Sequence, residues 1–419
     1  MNKSMTHVMV ALTLAVPLFL ILGRGLADAT MGVVSLAFLF RSWRNQDWTW
    51  AATQWFRVAL VTTGYMVISA AFAEFETKDA LISAIGWVRF PLFVMALTTW
   101  IWPQPQTQKY FMKWMIVLLV LICVDTWWQF LTGTSLSGNP QPDYVGRLTG
   151  PLKRMLVGVL LLRLSWPVIG HAFAWAVQQR HILRASLLPL ALTAVIGMTI
   201  LISGERVAFA LFALCAFFFA CGAKQLRQLI FGCGIIGALA AVAIVLYTPS
   251  LNHRMLKDTD RVVSNLSQSA YTAVWTNGLV AWRYAPIMGI GPNNFVPMCE
   301  KLGKDSGFLN EQRDFDGMKC TRHPHNIYLE WAAETGLIGL ALFLTMVALW
   351  IRQTWQAFRR ADDIGHYYQR LGCVVALIPF FWPLMSTMSF FSNWSAVIFW
   401  WVLAVILSPH VQTNAAKSV

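Results

Sequence analysis

The sequence predicts an all-α, polytopic membrane protein of about 12 transmembrane helices with one large helical loop on a single face. Three observations carry that prediction. Hydrophobic residues make up 57% of the 419 residues and charged residues only 12%, with a mean hydropathy of +0.55, against roughly 25% charged residues in an ordinary soluble chain. Apolar runs of roughly 17 to 25 residues recur, the length a helix needs to cross hydrocarbon. Lys and Arg exceed Asp and Glu by 13, and the excess falls in alternate short loops, as it does where basic residues resist translocation. A cytosolic enzyme, a disordered chain and a nucleic-acid reader are excluded by the same numbers, so no nucleic-acid partner is expected.

The first half supplies six spans: Val8 to Leu22, Met31 to Phe40 with its flanks, Val58 to Phe72, Ala84 to Trp102, Trp114 to Leu131 and Met155 to Val177. The second half supplies six more: Ala185 to Ile202, Val207 to Cys221, Leu229 to Tyr247, then Ile327 to Ile351, Leu371 to Met385 and Ala396 to Leu407. Lys3 with Ala27-Asp28-Ala29 imitates a secretory signal and its cleavage site. The spans that follow leave it no such role, and Val8 to Leu22 is read as the first span. An even count puts both termini on one side. Arg41, Arg44, Arg57, Lys109, Lys113, Arg180, Arg184, Lys224, Arg227, Arg352, Arg359 and Arg360 fall on that side, which makes it the cytoplasm. The opposite short loops hold Arg24, Lys78, Arg147, Lys153, Arg154 and Arg206. The chain thus divides into spans one to nine (1–247), an external loop (248–326), and spans ten to twelve with a short cytoplasmic tail (327–419).

The loop is the long polar stretch, with nine basic and seven acidic residues between Thr248 and Arg322. A segment this long in a compact protein is expected to be structured. Val262, Val263, Leu266, Ala270, Val274, Leu279 and Val280 fit a helical stripe, and Trp275 and Trp282 suit a helix at the lipid interface, so two or three helices capping the bundle are expected. Cys299 and Cys320 fall in this loop, where an oxidising compartment permits a disulfide, two free thiols being the other reading. The remaining five cysteines (Cys123, Cys215, Cys221, Cys233, Cys373) lie in apolar spans as small hydrophobes.

No metal motif is visible: His323-Pro324-His325 lacks the carboxylate or sulfur partners an ion would need. Gly289-Ile290-Gly291-Pro292 lacks the strand and acid of a dinucleotide fold and reads as a turn. His325 stands where the charged loop meets span ten, with Asn326 after it. An imidazole there suits general-base work because its unperturbed pKa of about 6.5 lies near working pH, although a helix-capping histidine fits the same position. After His325-Asn326 come nine residues, then Gly336-Leu337-Ile338-Gly339. The two glycines fall on a helix face where another helix could approach closely.

These residues resemble the O-antigen ligases, in the wider superfamily with O-antigen polymerases and bacterial protein O-oligosaccharyltransferases. His325-Asn326, Gly336 and Gly339 match every fixed position of the family's pattern. The stretch Pro286 to Phe295 looks like the family's segment in the same loop, and the twelve-span layout with one large loop before span ten is similar throughout. The family's external arginine, written R-x3-L, is supplied by Arg206, but the leucine is Leu211, one place late. The family's D-R-hydrophobic run is matched by Asp260-Arg261-Val262. Its second loop arginine falls near Tyr271, where this chain has none, and Arg283 is the candidate substitute. Arg89 within span four and Arg147 between spans five and six are further candidates, Arg89 with an acid such as Asp125 as its alternative partner.

The resemblance implies a GT-C-like transferase at the periplasmic face of the bacterial inner membrane. It would move a glycan from undecaprenyl pyrophosphate to a sugar hydroxyl of lipid A-core in lipopolysaccharide biosynthesis. The scissile bond is already activated, so the enzyme need supply only a base and positive charge for the leaving pyrophosphate. His325 is expected as base, Arg206 and Arg261 as the main clamp, and no cofactor or metal. A polymerase, a protein O-oligosaccharyltransferase and a lipid-linked glycan transporter are the alternatives. The protein-modifying relatives tend to carry a longer C-terminal region, which favours the ligase among them.

Overall fold

In the computed structural model, residues 3–143, 146–265, 269–302, 323–384 and 388–408 are described. Each of the twelve expected spans overlaps helix, although the eleventh runs on past its helices and its last residue, Met385, lies outside the described residues. The helices are α1 (Lys3–Leu22), α2 (Arg24–Asn45), α3 (Gln54–Ala71), α4 (Thr77–Trp87) continuing into α5 (Arg89–Ala96), α6 (Pro105–Thr132), α7 (Val157–Val177), α8 (Ile182–Ile202), α9 (Arg206–Gly222) and α10 (Arg227–Tyr247). Beyond the loop come α15 (Ile327–Arg359), α16 (Ile364–Val375) with α17 (Ile378–Phe381), and α18 (Asn393–Leu407). Among the described residues, eight helical stretches are long and apolar enough to cross a membrane, and α9 and α18 are shorter apolar helices. The eleventh span is broken between α16 and α17 ahead of Pro379, whose ring leaves no N–H to continue the ladder.

The described part of the loop folds into more helices than the two or three expected: α11 (Pro249–Asn252), a π turn His253–Lys257, α12 (Asp258–Ser264), α13 (Ala270–Tyr284) and α14 (Phe295–Leu302). The single stripe expected from Val262 to Val280 is interrupted. α12 ends at Ser264, and Ser269 opens α13 by accepting a bond from Thr272 N at 3.4 Å. A serine competes for backbone donors and so starts a new helix rather than extending the old one.

The core runs through α7 and α18. α18 is apolar on every side and buried from Trp394 to Leu407, which is what a helix without a polar face must do. α7 packs on α16 where Gly170 meets Gly372: a Cβ on Gly170 would sit 2.6 Å from Gly372 Cα. Two small residues thus let the backbones touch, the usual means of packing helices in lipid. α10 is mostly exposed and fits the lipid-facing side. Arg89 does face the interior, but its partner is Asp28, at 2.8 Å from both Nε and Nη2, and not Asp125. Asp125 instead accepts from Ser137 N at 3.1 Å. Asp28 also accepts from Asn393 at 3.2 Å, so Arg89 ties α2, α5 and α18 together.

The turns α1–α2, α3–α4, α6–α7 and α8–α9, the loop helices and the segment before α18 gather at one end of the bundle. Main-chain contacts knit them together: Leu148 N donates to Ser203 O at 3.2 Å, Gly291 packs on Ala73, and Tyr284 donates to Glu74.

Candidate active site

The site is assembled from three tight turns that lock into one another. Gly204, in the α8–α9 turn, has φ +71 and lies so close to Gly146 O that a Cβ would run into it. Gly146 has φ +70, and a Cβ there would meet Ser250 O at 2.7 Å. Left-handed backbone and contact with a neighbouring carbonyl both demand glycine. Each turn then carries a basic residue within four positions: Arg147, Arg206 and Arg254. Arg254 is buried, donating through Nε to Gly204 O and through Nη1 to Asp258, both at 3.2 Å. Arg206 donates to Thr259 Oγ1 at 3.2 Å and Arg147 to Met155 O at 2.5 Å.

Glu205 lies beside Arg206 in sequence, where an ion pair between the two neighbours would be the ordinary arrangement. Its carboxylate instead accepts from Gly158 N at 2.7 Å and Val159 N at 3.1 Å, capping α7 from a distant turn. Gly158 makes room, since a Cβ there would lie 2.6 Å from Ser203 Oγ. Burial pushes the Glu205 carboxyl up to about 7, against the pull of Arg147, the two α7 amides and Arg163.

His325 enters from the opposite wall. Its φ is 50, uncommon for a residue with a side chain. The cause is the helix that follows: Asn326 is the N-cap of α15, accepting from Tyr328 N at 3.0 Å and Leu329 N at 3.2 Å and donating to Pro383 O at 2.8 Å. Asn326 therefore fixes the backbone next to His325. Gly278 of α13 packs on Pro324, where a Cβ would meet the ring at 2.7 Å, and the rings of His323 and His325 lie 4.1 Å apart.

The two glycines farther along α15 do not form the helix-packing face expected of them. Gly336 breaks the helix, with φ 67, and abuts Ile287 O. The carbonyls freed by the break are taken up by the Pro286 to Phe295 segment and by α3. Ile290 N donates to Ala333 O at 3.0 Å, Gly291 N to Glu334 O at 2.9 Å, and Tyr65 Oη to Thr335 O at 2.7 Å. Leu337 N donates back to Pro286 O at 2.9 Å. Gly339 is crowded by Thr335 and by the Tyr65 ring edge at 3.2 Å. Two buried acids missed in the sequence finish the joint: Glu334 accepts from Asn293 N at 2.5 Å and Glu330 from Phe390 N at 2.8 Å. Their spacing of four in the first turns of an apolar span was the available signal.

Between these walls lies a cavity of about 230 Å³, lined by His325, Arg147, Arg163, Arg206, Arg254, Glu205 and Tyr271 with Leu156, Val159, Pro379 and Met388. Four guanidiniums face one carboxylate at a membrane edge, an arrangement that favours an anion, and their planar forks suit phosphate oxygens. The segment 190–344 matches the family model described as O-antigen ligase. It contains Arg206, Arg254, Tyr271, His325 and the broken helix to Gly339.

That match, over residues 190–344 alone, supports membership of the O-antigen ligase and polymerase superfamily.

The match supports glycan transfer of the ligase or polymerase type in lipopolysaccharide biosynthesis, and the apolar helices support a multi-pass membrane protein. No curated protein matches the chain. Of the residues expected at the site, His325 and Arg206 from the superfamily pattern and Arg147 from its place in an external loop come together in the cavity. Arg261, exposed on α12, and Arg283, exposed near the end of α13, do not line it, and Arg89 is engaged by Asp28. Tyr271 does line it, at the place where a loop arginine was sought. Arg254 and Arg163 were missed. Arg163 had a signal, a lone charge inside an apolar span, the same ground on which Arg89 was chosen. Cys299 is disulfide-bonded and buried. Its expected partner, Cys320, lies outside the described residues. Among the described residues, no three His, Cys, Asp or Glu side chains converge as a metal site.

Proposed function

We propose that the protein is an O-antigen ligase, joining a glycan from undecaprenyl pyrophosphate to a sugar hydroxyl of lipid A-core on the periplasmic face of the inner membrane, with both termini in the cytoplasm. The observation that carries this reading is the single cavity in which His325 faces Arg147, Arg206 and Arg254. His325 takes the proton of the acceptor hydroxyl as its oxygen attacks the anomeric carbon. The bond from that carbon to the pyrophosphate oxygen breaks, and its electron pair leaves with the pyrophosphate. Arginines aimed at the leaving group stabilise charge where it develops, which is the larger share of such catalysis. Arg206, Arg147 and Arg254 serve that purpose, with Arg163 behind them, while Arg261 and Arg283 are left to the approach of the donor. A single displacement inverts the anomeric centre, and no metal is required.

The test is product analysis with purified protein, undecaprenyl-pyrophosphate glycan and lipid A-core, with and without chelator. Ligated lipopolysaccharide of inverted configuration, insensitive to chelator and absent with His325→Ala, supports the reading. Lengthened lipid-linked glycan without ligated core makes the protein a polymerase, a glycosylated Ser or Thr makes it a protein O-oligosaccharyltransferase, and movement of intact lipid-linked glycan makes it a transporter.

A further inference from the structure

A second cavity, of about 790 Å³, adjoins the first. Leu156 and Met388 line both, and a pair of adjacent, tilted histidine rings straddles them, His323 in the larger cavity and His325 in the smaller. Its walls differ in kind. Leu20, Ile21 and Leu22 come from the end of α1, where Leu22 is 65% exposed at the bundle's flank. Arg24, Lys153 and Arg154 supply three basic side chains against one acid, Glu300. Asn293, Ser389 and Ser392 add neutral hydrogen-bonding groups. The volume falls in the range of roughly 300 to 1,000 Å³ that binds small organic ligands.

We propose that this larger cavity is the acceptor site, and that Arg24, Lys153 and Arg154 recognise phosphate groups on the glycolipid that enters from the lipid beside Leu22. The assignment rests on the ligase reading given above. The smaller cavity already has arginines enough for a pyrophosphate and too little space for a second glycan. The larger one has an apolar edge at exposed Leu22, carries three basic side chains, and is lined by His323, whose ring lies 4.1 Å from that of the proposed base. A lipid with an anionic, sugar-bearing headgroup matches all three features: acyl chains at the Leu20–Leu22 edge, phosphate at the cations, and a sugar hydroxyl reaching past Leu156 to His325.

The experiment measures binding of lipid A-core to the purified full-length protein in nanodiscs, alongside the same glycolipid stripped of its phosphates, and repeats both with Lys153→Gln/Arg154→Gln and with Arg24→Gln. The double variant is expected to weaken binding of the phosphorylated form about tenfold or more and to leave the stripped form unchanged, with the effect shrinking at high salt. Equal wild-type affinity for the two forms, or equal losses for both in the variants, overturns the proposal. So does a rise in the donor KM with no change in acceptor binding. Inorganic phosphate binding as tightly as the glycolipid overturns the lipid part of the assignment; competition only at far higher concentration supports it. His325→Ala that binds the phosphorylated acceptor but makes no product supports both assignments. A wild type that binds it and ligates nothing defeats the ligase reading alone.

Discussion

At the scale of the residue, two kinds of arginine must be separated. Arg147, Arg206 and Arg254 share a cavity with His325, whereas Arg283 is exposed outside it. Replacing Arg206 or Arg254 with Gln is expected to lower kcat/KM for the donor by about 10² to 10³-fold, the loss seen when one group stabilising a developing anion is removed. Arg283→Gln in the same assay is the comparison, and a loss as large there would show that the cavity does not define the clamp. His325→Ala should slow transfer by about 10² to 10⁴-fold, the usual contribution of a general base. Glu205 makes a different prediction. Its carboxyl is raised to about 7 by burial, so between the ordinary carboxyl value of 4.5 and about 7 the folded protein holds a proton that the unfolded chain has lost. Stability from this group therefore falls as pH rises through that window and levels off above it. Melting curves in detergent from pH 4.5 to 8 should show that slope, and Glu205→Gln should flatten it.

At the scale of the element, the decisive feature is the break in α15. A continuous helix would keep its carbonyls to itself. The break at Gly336 releases three of them to the Pro286 to Phe295 segment and to Tyr65, which is how a distant loop is held against the span that starts with His325. Gly336→Ala puts a Cβ against Ile287 O in left-handed backbone, so a loss of well over 1 kcal/mol in stability is expected. Gly232→Ala, on α10 with open space around it, should be neutral or slightly stabilising. Thermal denaturation of the two variants side by side checks this, and equal behaviour would mean the break is not needed. Cys299 anchors the end of α14 through its disulfide. Cys299→Ser should lower Tm by an amount corresponding to about 2 to 4 kcal/mol, and reduction of the wild type should reproduce the loss.

At the scale of the whole molecule, the site-bearing turns collect at one end of the bundle, the end that the proposed orientation puts in the periplasm. Reporter fusions placed after Val419 should read as cytoplasmic, and thiol-reactive labels on a cysteine introduced at Lys257 should react from outside intact spheroplasts; the reverse pattern would invert the proposed orientation. The spans were legible in the sequence because crossing hydrocarbon is a local demand: each run of apolar residues must satisfy its own backbone in a helix, whatever its neighbours do. His325, Arg206 and Arg147 were legible too, since charges at the edge of an apolar span stand out in one dimension. Arg254 and Glu205 were not, because their roles come from which turns touch, whereas Arg163 was legible as a lone charge inside an apolar span. Nothing in the order of residues states that the glycine of the α8–α9 turn lies on Gly146, or that Glu205 caps a helix 46 positions earlier. Spacing alone likewise made Gly336 and Gly339 a packing face, where long-range backbone hydrogen bonds made Gly336 a break. The sequence by itself determined the all-α membrane architecture and where its apolar helices run, because each span answers a local demand. Tertiary structure decided which of the charged residues meet, because contacts between turns far apart in the chain depend on close backbone approaches and buried charge pairs that exist only once the bundle has formed.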